Sequence, residues 1–367
     1  MHRITLVLGL ATLAVACGDA SDEVLPDANS VAVDGRVSTG PDAMVGERAY
    51  AVGTDFSTSG ILSEVDVPTH EVTTGVVAGV ASTDPALRYF NGKLYIVNRY
   101  GADNITIVDP ATNQLITQIS TGAGTNPQDV AVKGNKLYVA ALNSGNIIIL
   151  DETNPSATPD TIDISSYDMD GVPDASSLYL VGNLLFVSLE LLDGSFVSQG
   201  GKVVVIDTAT DTVIDDVELT HNNPFGTFEL RRDTSELFIT TTDFAGTGCV
   251  ERVQTSPPYA VDCVVDEASL GGYASTIRSH GDTLWLAVAT SFTEGHVIDV
   301  TGGTPGSTPL TANTFQATDL ALCPSGAIVV NDQTNGGLRL YVDGSEVTTS
   351  VLNIGLPPSL SNGIVCF

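Results

Sequence analysis

The sequence has 367 residues, of which 43% are apolar and 16% charged. A chain of this composition can bury a large core, which excludes a protein that is disordered over most of its length. Asp and Glu number 44 against 14 Lys and Arg, so the formal net charge is -30. Phosphate backbones repel such a surface, and we expect no nucleic-acid partner.

The first 16 residues have the pattern of an export signal. Arg3 precedes an apolar run from Ile4 to Ala16 that is too short to span a bilayer and ends in small residues. Residues 14–17, AVAC, resemble the lipobox of bacterial lipoproteins. The resemblance implies cleavage after residue 16, acylation of Cys17, with palmitate among the acyl chains, and attachment to the membrane of the cell envelope. The alternative is an ordinary signal peptidase site with a coincidental cysteine.

Residues 17–46 are expected to form a flexible tether. They are acidic, rich in Gly, Ser, Ala and Pro, and contain no aromatic residue, so they cannot bury enough surface to offset the cost of ordering. Such a tether would hold the folded body away from the lipid. In lipoproteins an Asp after the cysteine can retain the protein in the inner membrane. Gly18 occupies that position here, which favours the outer membrane, on its periplasmic or surface face.

From residue 47 onward the sequence repeats at intervals of about 42 to 56 residues. The best-defined unit is 127–151, PQDVAVKGNKLYVAALNSGNIIILD, which predicts three short strands joined by polar turns, and TIDIS supplies a fourth. Each unit carries an aromatic or Leu-rich strand and then an apolar strand that ends in Asp; Gln254 replaces the Asp in one copy. Seven such units predict an all-β fold, a seven-bladed β-propeller of four-stranded antiparallel blades over 47–367. We expect the strand-end aspartates to cap turns.

Two segments carry a resemblance to a known repeat: KLYIVNRYGADNITIVDPATNQLITQI and GGKVVVIDTATDTVIDDV. Both are similar to the YVTN-type β-propeller repeat, and the similarity extends from Ala49 to Phe367. The resemblance supports the fold and leaves the function open. The first unit lacks an innermost strand of its own, and the chain ends in SNGIVCF. We therefore expect residues 364–367 to close the ring by completing the blade that begins at Ala49.

Apart from Cys17, four cysteines remain, which favours two disulfides in an exported protein. Pairing Val253 with Tyr259 in a predicted hairpin would place Cys249 directly opposite Cys263. Cys323 and Cys366 are then left to bond across the point of ring closure. Two buried free thiols are the alternative. The spacing of the cysteines is not that of a metal site.

Three aspartates in the segment DMDGVPD, Asp168, Asp170 and Asp174, offer oxygen donors for calcium. The segment lacks the spacing and distal Glu of an EF-hand, and an ordinary solvated loop is the alternative. No other cofactor is expected. The sequence contains no GxSxG, HExxH or phosphate-binding loop, and we assign no catalytic residue.

In a propeller, the loops between the second and third strands and the segments between blades share one face around the channel. Ligand-binding loops held by a rigid scaffold are a common site of function. Residues 189–201 form the longest such loop. The candidate ligand-binding residues on this face are Arg99, Tyr100, Glu190, Asp193, Asp243, Phe244 and Asp332.

The sequence therefore predicts a monomeric binding or scaffold module whose ligand, a protein, a glycan or a cation, is not specified. The alternative is a propeller enzyme, a lactonase-like hydrolase or lyase, with its site at the channel mouth. Clustered carboxyl groups with raised pKa values at that mouth would favour an enzyme or a metal site.

Overall fold

The computed structural model describes residues 46–291, 293–311 and 314–367. The expected signal, Cys17 and the tether up to residue 45 lie outside these residues. Within them, 28 strands form seven separate four-stranded sheets. No helix of the described part is long and apolar enough to cross a membrane.

The strands of the first half of the chain are β1 (Arg48–Thr54), β2 (Gly60–Asp66), β3 (Val72–Thr73), β4 (Pro85–Phe90), β5 (Lys93–Asn98), β6 (Asn104–Asp109), β7 (Gln114–Ser120), β8 (Pro127–Lys133), β9 (Lys136–Ala141), β10 (Asn146–Asp151), β11 (Asp160–Asp163), β12 (Ala175–Val181), β13 (Leu184–Leu189), β14 (Lys202–Asp207) and β15 (Thr212–Glu218). A single 3-10 turn, Ser165–Tyr167, precedes β12.

The strands of the second half are β16 (Glu229–Arg231), β17 (Glu236–Thr242), β18 (Gly248–Gln254), β19 (Val261–Asp266), β20 (Tyr273–His280), β21 (Thr283–Ala289), β22 (Gly295–Thr301), β23 (Thr304–Pro305), β24 (Leu320–Leu322), β25 (Ile328–Asp332), β26 (Gly337–Val342), β27 (Ser345–Glu346) and β28 (Ile364–Cys366). A short helix, α1 (Glu267–Leu270), follows β19.

The predicted seven-bladed β-propeller is confirmed. Blades 2 to 7 each take four consecutive strands, from β4–β7 through β24–β27, and blade 1 has the order β28, β1, β2, β3. The last strand of the chain is thus the innermost strand of the first blade. It pairs antiparallel with β1, with Ala49 opposite Cys366 and Ala51 opposite Ile364. Ring closure by the C-terminal strand is therefore confirmed.

Both predicted disulfides are present. Cys323, just after the innermost strand of blade 7, is bonded to Cys366 in blade 1, and Cys249 is bonded to Cys263 within blade 5. The expected register of the second pair is wrong. Val253 lies opposite Val261 and Cys263 lies opposite Glu251, because the turn is two residues longer than predicted and a bulge follows Val250.

The repeated tyrosine in the second strand of the early blades reaches across to the next blade. Tyr50 donates its hydroxyl hydrogen bond to the carbonyl of Pro110 (3.0 Å), and Tyr95 donates to the carboxylate of Glu152 (3.0 Å). Tyr138 donates in the same way to Asp211 (2.6 Å). All three rings are fully buried between blades. The repeat therefore encodes a polar contact between neighbouring blades as well as core packing.

Around the channel, hydrogen bonds and one ion pair connect neighbouring blades. They join the innermost strand of each blade, or the residues just before it, to the innermost strand of the neighbouring blade or the residues just before that strand. They are, in blade order, Leu87 N to Asn362 O (2.6 Å), Arg88 to Asp129 (2.8 Å), Leu178 N to Asp129 (2.9 Å), Phe228 N to Ser177 (3.1 Å), Ser279 N to Glu229 (2.9 Å), Thr276 to Asp319 (3.1 Å) and Gly363 N to Asp319 (2.7 Å). Every neighbouring pair of blades has such a link. Asp319 is completely buried and joins blades 6, 7 and 1.

Four of the strand-end aspartates cap turns, as predicted. Asp66, Asp109, Asp151 and Asp207 each accept a hydrogen bond from a backbone N–H two or three residues later, at 2.8 to 2.9 Å. They stabilise the turns between the third and fourth strands, which lie on the face opposite the loops considered next.

Candidate functional site

The channel face consists of the loops between second and third strands together with the segments that join blades. Two of these, residues 164–174 and 190–201, come together between blades 3 and 4. The backbone N–H of Glu190 donates to the carbonyl of Asp174 (3.1 Å), and that of Leu192 donates to the Asp174 carboxylate (2.7 Å). The two loops thus form one structure, although the 15 residues 175–189 separate them.

A pocket of about 480 Å³ opens between these loops. We call it the acidic pocket. Its lining combines carboxylates with apolar side chains: Tyr167, Asp168, Met169, Asp170, Leu191, Leu192, Asp193, Gly194 and Gln199. The sequence predicts the calcium candidates and the candidates of the long loop as separate sites. In the structure they share one site.

Local hydrogen bonds hold the pocket's carboxylates in place. Asp170 accepts from the N–H of Val172 (2.8 Å), and Asp168 from that of Asp170 (3.3 Å). Asp193 accepts from the N–H of Ser195 (2.8 Å) and from the side-chain amide of Gln199 (3.1 Å). Each carboxylate is thus fixed by its own turn while remaining at the edge of the pocket.

Two carboxyl groups behind the pocket have raised pKa values. Burial raises the pKa of Glu190 to about 8, against the effect of a hydrogen bond from Ser176, and the charge of Asp174 adds to the rise. Burial also raises the pKa of Asp174 to about 6, although it accepts the N–H of Leu192. Residue 190 is half-buried as a whole, but its carboxyl group lies within the protein. These two groups therefore titrate between about pH 6 and about pH 8, a range in which most carboxyl groups of proteins are already ionised.

The oxygens of Asp168, Asp170 and Asp174 do not form a ready-made metal cage. Among the described residues, the only group of three potential metal ligands whose donor atoms all lie within 4.8 Å of one another is His221, Cys249 and Cys263. Both cysteines there are oxidised to the disulfide, so they offer no thiolate. Calcium binding at the three aspartates stays a prediction, and it would require the loop to draw them together.

The remaining candidates lie elsewhere. Arg99 forms an ion pair with Asp84 (2.6 Å) and fixes a loop of blade 2, while Tyr100 beside it is 75% exposed. Asp332 is not on the exposed rim: it is completely buried and bonds Arg339 (2.8 Å) and the N–H of Asn335 (2.8 Å). Its position before a loop predicts a place on the rim, but its side chain points into the blade.

Asp243 and Phe244 belong to a separate part of the channel face, on blade 5. Asp243 accepts hydrogen bonds from the N–H groups of Ala245 (2.8 Å) and Thr247 (3.0 Å). The hydrogen bond from the Thr247 hydroxyl is the main reason why the pKa of Asp243 lies below its usual value. Phe244 is 56% exposed. The candidates therefore mark at least two separate areas of one face.

Comparison with solved structures identifies the same fold in proteins of different activities. Streptogramin B lyase aligns with a TM-score of 0.57 and 13% identity over 83% of this chain and 93% of its own. Apo AztD from Citrobacter koseri aligns at 0.53 and 11%, over 88% and 97%. The dihydro-heme d1 dehydrogenase NirN aligns at 0.55 and 14%, over 88% and 75%. All three share the β-propeller fold with this chain.

At these identities the likeness shows the fold alone. No protein-family model matches the chain, and no curated protein matches it in sequence. The proteins that share the fold include enzymes, by their names a lyase and a dehydrogenase. Evidence for the function therefore comes from this chain's own residues.

Proposed function

We propose that the protein is an exported, lipid-anchored β-propeller that binds ligands at its channel face, with the acidic pocket as a cation-binding site. One observation carries this proposal: five carboxyl groups converge on a single pocket. Asp168, Asp170 and Asp193 line it, and Asp174 and Glu190 lie behind it.

Like-charged groups at this density repel one another, and a bound cation relieves the repulsion. The ammonium group of Lys202 lies 5.5 Å from the centre of the Tyr167 ring, but it does not relieve this repulsion. It is already paired with Asp216 (2.7 Å) and Glu218 (2.6 Å). Calcium is the simplest occupant to test, since it accepts six to eight oxygen ligands in flexible geometry.

The raised pKa values give the proposal a specific signature. A cation stabilises ionised carboxylates, so binding should release protons from Glu190 and Asp174. Calcium affinity should therefore rise as the pH increases through about 6 and about 8. The number of protons released can be measured by calorimetry in buffers of different ionisation enthalpy.

The matched variants are Glu190→Gln and Asp243→Asn. The first removes one of the two titrating groups and should abolish its share of the proton release. The second changes a carboxylate of the same face outside the pocket and should leave calcium binding unchanged. If wild-type protein shows neither heat nor a rise in melting temperature at millimolar calcium, the cation site is refuted. A protein or glycan ligand for the channel face would then be the next hypothesis.

The anchoring part of the proposal rests on the sequence. An export signal, the AVAC lipobox with Cys17 and an acidic linker together fit a protein held at the bacterial envelope, in the outer membrane. We expect a monomer, since ring closure completes blade 1 within one chain and the radial arrangement of the blades leaves only short, protected strand edges.

A second candidate, an enzyme of the hydrolase or lyase type, is favoured by the same two buried groups. Adjacent carboxyl groups whose pKa values lie near 6 and 8 can act as a general base and a general acid at neutral pH. Turnover of a lactone or other electrophilic substrate with a bell-shaped pH profile, lost in Glu190→Gln, would favour this function over simple binding.

A further inference from the structure

One loop sequence occurs twice on the channel face. Residues 54–60 read TDFSTSG in blade 1, and residues 242–248 read TDFAGTG in blade 5. In both, the threonine hydroxyl accepts a hydrogen bond from the phenylalanine N–H, at 2.8 Å for Phe56 and 3.0 Å for Phe244. Both phenylalanines adopt positive φ, 54° and 57°, and both are about half exposed. The loop therefore serves to project an aromatic ring.

The two copies differ in what lies against the glycine that ends the loop. In blade 1, a Cβ at Gly60 would lie 2.0 Å from the backbone carbonyl oxygen of Ser82. In blade 5, a Cβ at Gly248 would lie 2.2 Å from the backbone carbonyl oxygen of Thr241 and 2.4 Å from Oε1 of Glu267. The second loop thus has a carboxyl group beside its last glycine, which the first loop lacks.

Glu267 is only 4% exposed, and its Oε1 has no hydrogen-bond partner among the described residues. Thr242, which positions Phe244, bonds the same carboxyl group. A buried carboxyl oxygen without a partner is costly unless a ligand supplies one.

The rings around Phe244 also distinguish blade 5. Phe225 and Tyr273 each lie 5.2 Å from Phe244, centroid to centroid, with interplanar angles of 80° and 88°. Phe225 is 42% exposed and Tyr273 half-buried. Within the part of the chain that the structure describes, Phe56 has no ring partner of this kind. Each edge-to-face contact covers one face of one ring, and the partial exposure of all three rings leaves negative ring surface available to a ligand.

We propose that Phe225, Phe244 and Tyr273, with the carboxyl group of Glu267, form a binding site for an alkylammonium group. The aromatic faces attract the methylated cation, and the carboxylate supplies the counter-charge. The net charge of -30 favours the approach of any cation to this surface. A neutral apolar ligand would gain nothing from the buried carboxyl group. This site, around the loop of blade 5 and the start of blade 6, shares no residue with the acidic pocket between blades 3 and 4, and it does not depend on the function proposed for that pocket.

The test is saturation-transfer NMR with choline and, in the same tube, its neutral isostere in which carbon replaces the nitrogen. Choline should bind wild-type protein, and the isostere should bind about tenfold more weakly, the factor expected for loss of a cation–π contact. Phe244→Leu keeps the apolar volume but removes the central ring, and it should weaken choline binding about tenfold. Phe56→Leu changes the equivalent loop of blade 1 and is the matched control.

Glu267→Gln should also weaken choline binding without changing the binding of the isostere. Thermal melting of each variant confirms that the fold is retained before binding is compared. Three results would each overturn the proposal: equal binding of choline and its isostere, equal losses in Phe244→Leu and Phe56→Leu, or no binding of either choline or a trimethyllysine peptide at millimolar concentration. If a trimethyllysine peptide binds and free choline does not, the alkylammonium group comes from a protein partner, which leaves the proposed chemistry intact.

Discussion

Removing the disulfide that closes the ring should cost more stability than removing the one inside a blade. Cys323 and Cys366 are 43 residues apart, whereas Cys249 and Cys263 are 14 apart. Loop-closure entropy then gives about 4 kcal/mol for the first bond and about 3 kcal/mol for the second. The perturbations are the two double Cys→Ser variants, each of which removes one disulfide and leaves the other.

The structure adds a difference that the entropy estimate does not contain. The closing strand is short: residues 364–366 pair with β1, Phe367 adds two backbone bonds to Arg48 at 2.9 and 3.0 Å, and Gly363 accepts one from Val52 at 2.9 Å. Without the link to Cys323, this strand can separate from blade 1 without unfolding of the other blades. Cys263 lies in the outermost strand of blade 5, so loss of its disulfide should loosen only that edge.

Urea unfolding followed by fluorescence of the single tryptophan, Trp285 in blade 6, gives the global loss of stability. Hydrogen exchange by mass spectrometry gives its location. In the closure variant, exchange should rise in residues 48–54 and 362–367; in the other variant it should rise only in 248–266. The reasoning is refuted if the blade 5 variant loses more stability, or if exchange of the closing strand is the same with and without its disulfide.

Three further predictions concern the titrating pair, the buried aspartate and the anchor. The folded protein holds protons on Asp174 and Glu190 above the usual carboxyl range, so their stabilising effect is complete below about pH 4 and is lost as the pH rises through about 6 and about 8. Glu190→Gln should reduce that loss, measured as the change in urea midpoint between about pH 5 and about pH 9. Asp332→Asn, which removes the buried one of the two carboxylates paired with Arg339 and leaves Glu346, should cost about 2 kcal/mol in chemical unfolding, whereas Asp243→Asn should cost less than about 1 kcal/mol. Cys17→Ser should move the protein from the detergent phase to the aqueous phase, and intact mass of the wild type without acyl chains would contradict lipidation.

The fold could be predicted because its signals are local and repeated. Alternating apolar residues, Gly- and Asn-rich turns and the strand-end aspartates recur in seven units, and the missing inner strand of the first unit matches the extra strand at the end. Cysteine pairing followed from the same strand assignments.

The register of the hairpin that joins β18 and β19 could not be predicted in the same way. The sequence predicts a turn of five residues between paired Val253 and Tyr259. In the structure, the N–H of Tyr259 bonds the carbonyl of Ser256 (2.8 Å) and that of Gln254 bonds the carbonyl of Ala260 (2.9 Å). These bonds draw Tyr259 into the turn, where its ring is buried against Phe186 of the neighbouring blade. Packing between blades decides this register, and such packing is not visible in a single repeat.

The candidate site shows the same limit. The sequence identified Asp168, Asp170 and Asp193 individually, but only the contact between blades 3 and 4 unites them in one pocket, with Glu190 behind it. Glu267, Phe225 and Tyr273 were missed, since none of them stands in a recognisable motif. The repeated TDFxxxG sequence of residues 54–60 and 242–248 was a usable signal for the aromatic loops, because both copies occupy the same place in their blades.

Both ends of the described chain lie on the face opposite the channel face. β1 starts at Arg48 on that opposite face and reaches the channel face only at Thr54; Phe367 pairs with Arg48, and Glu47 bonds Ser325 in a turn between the first two strands of blade 7. The seven residues of β1 span about 23 Å. An attachment made at residue 46 or at Phe367 therefore lies on the face opposite the acidic pocket and the aromatic loops, and leaves both of them open to the bulk solution.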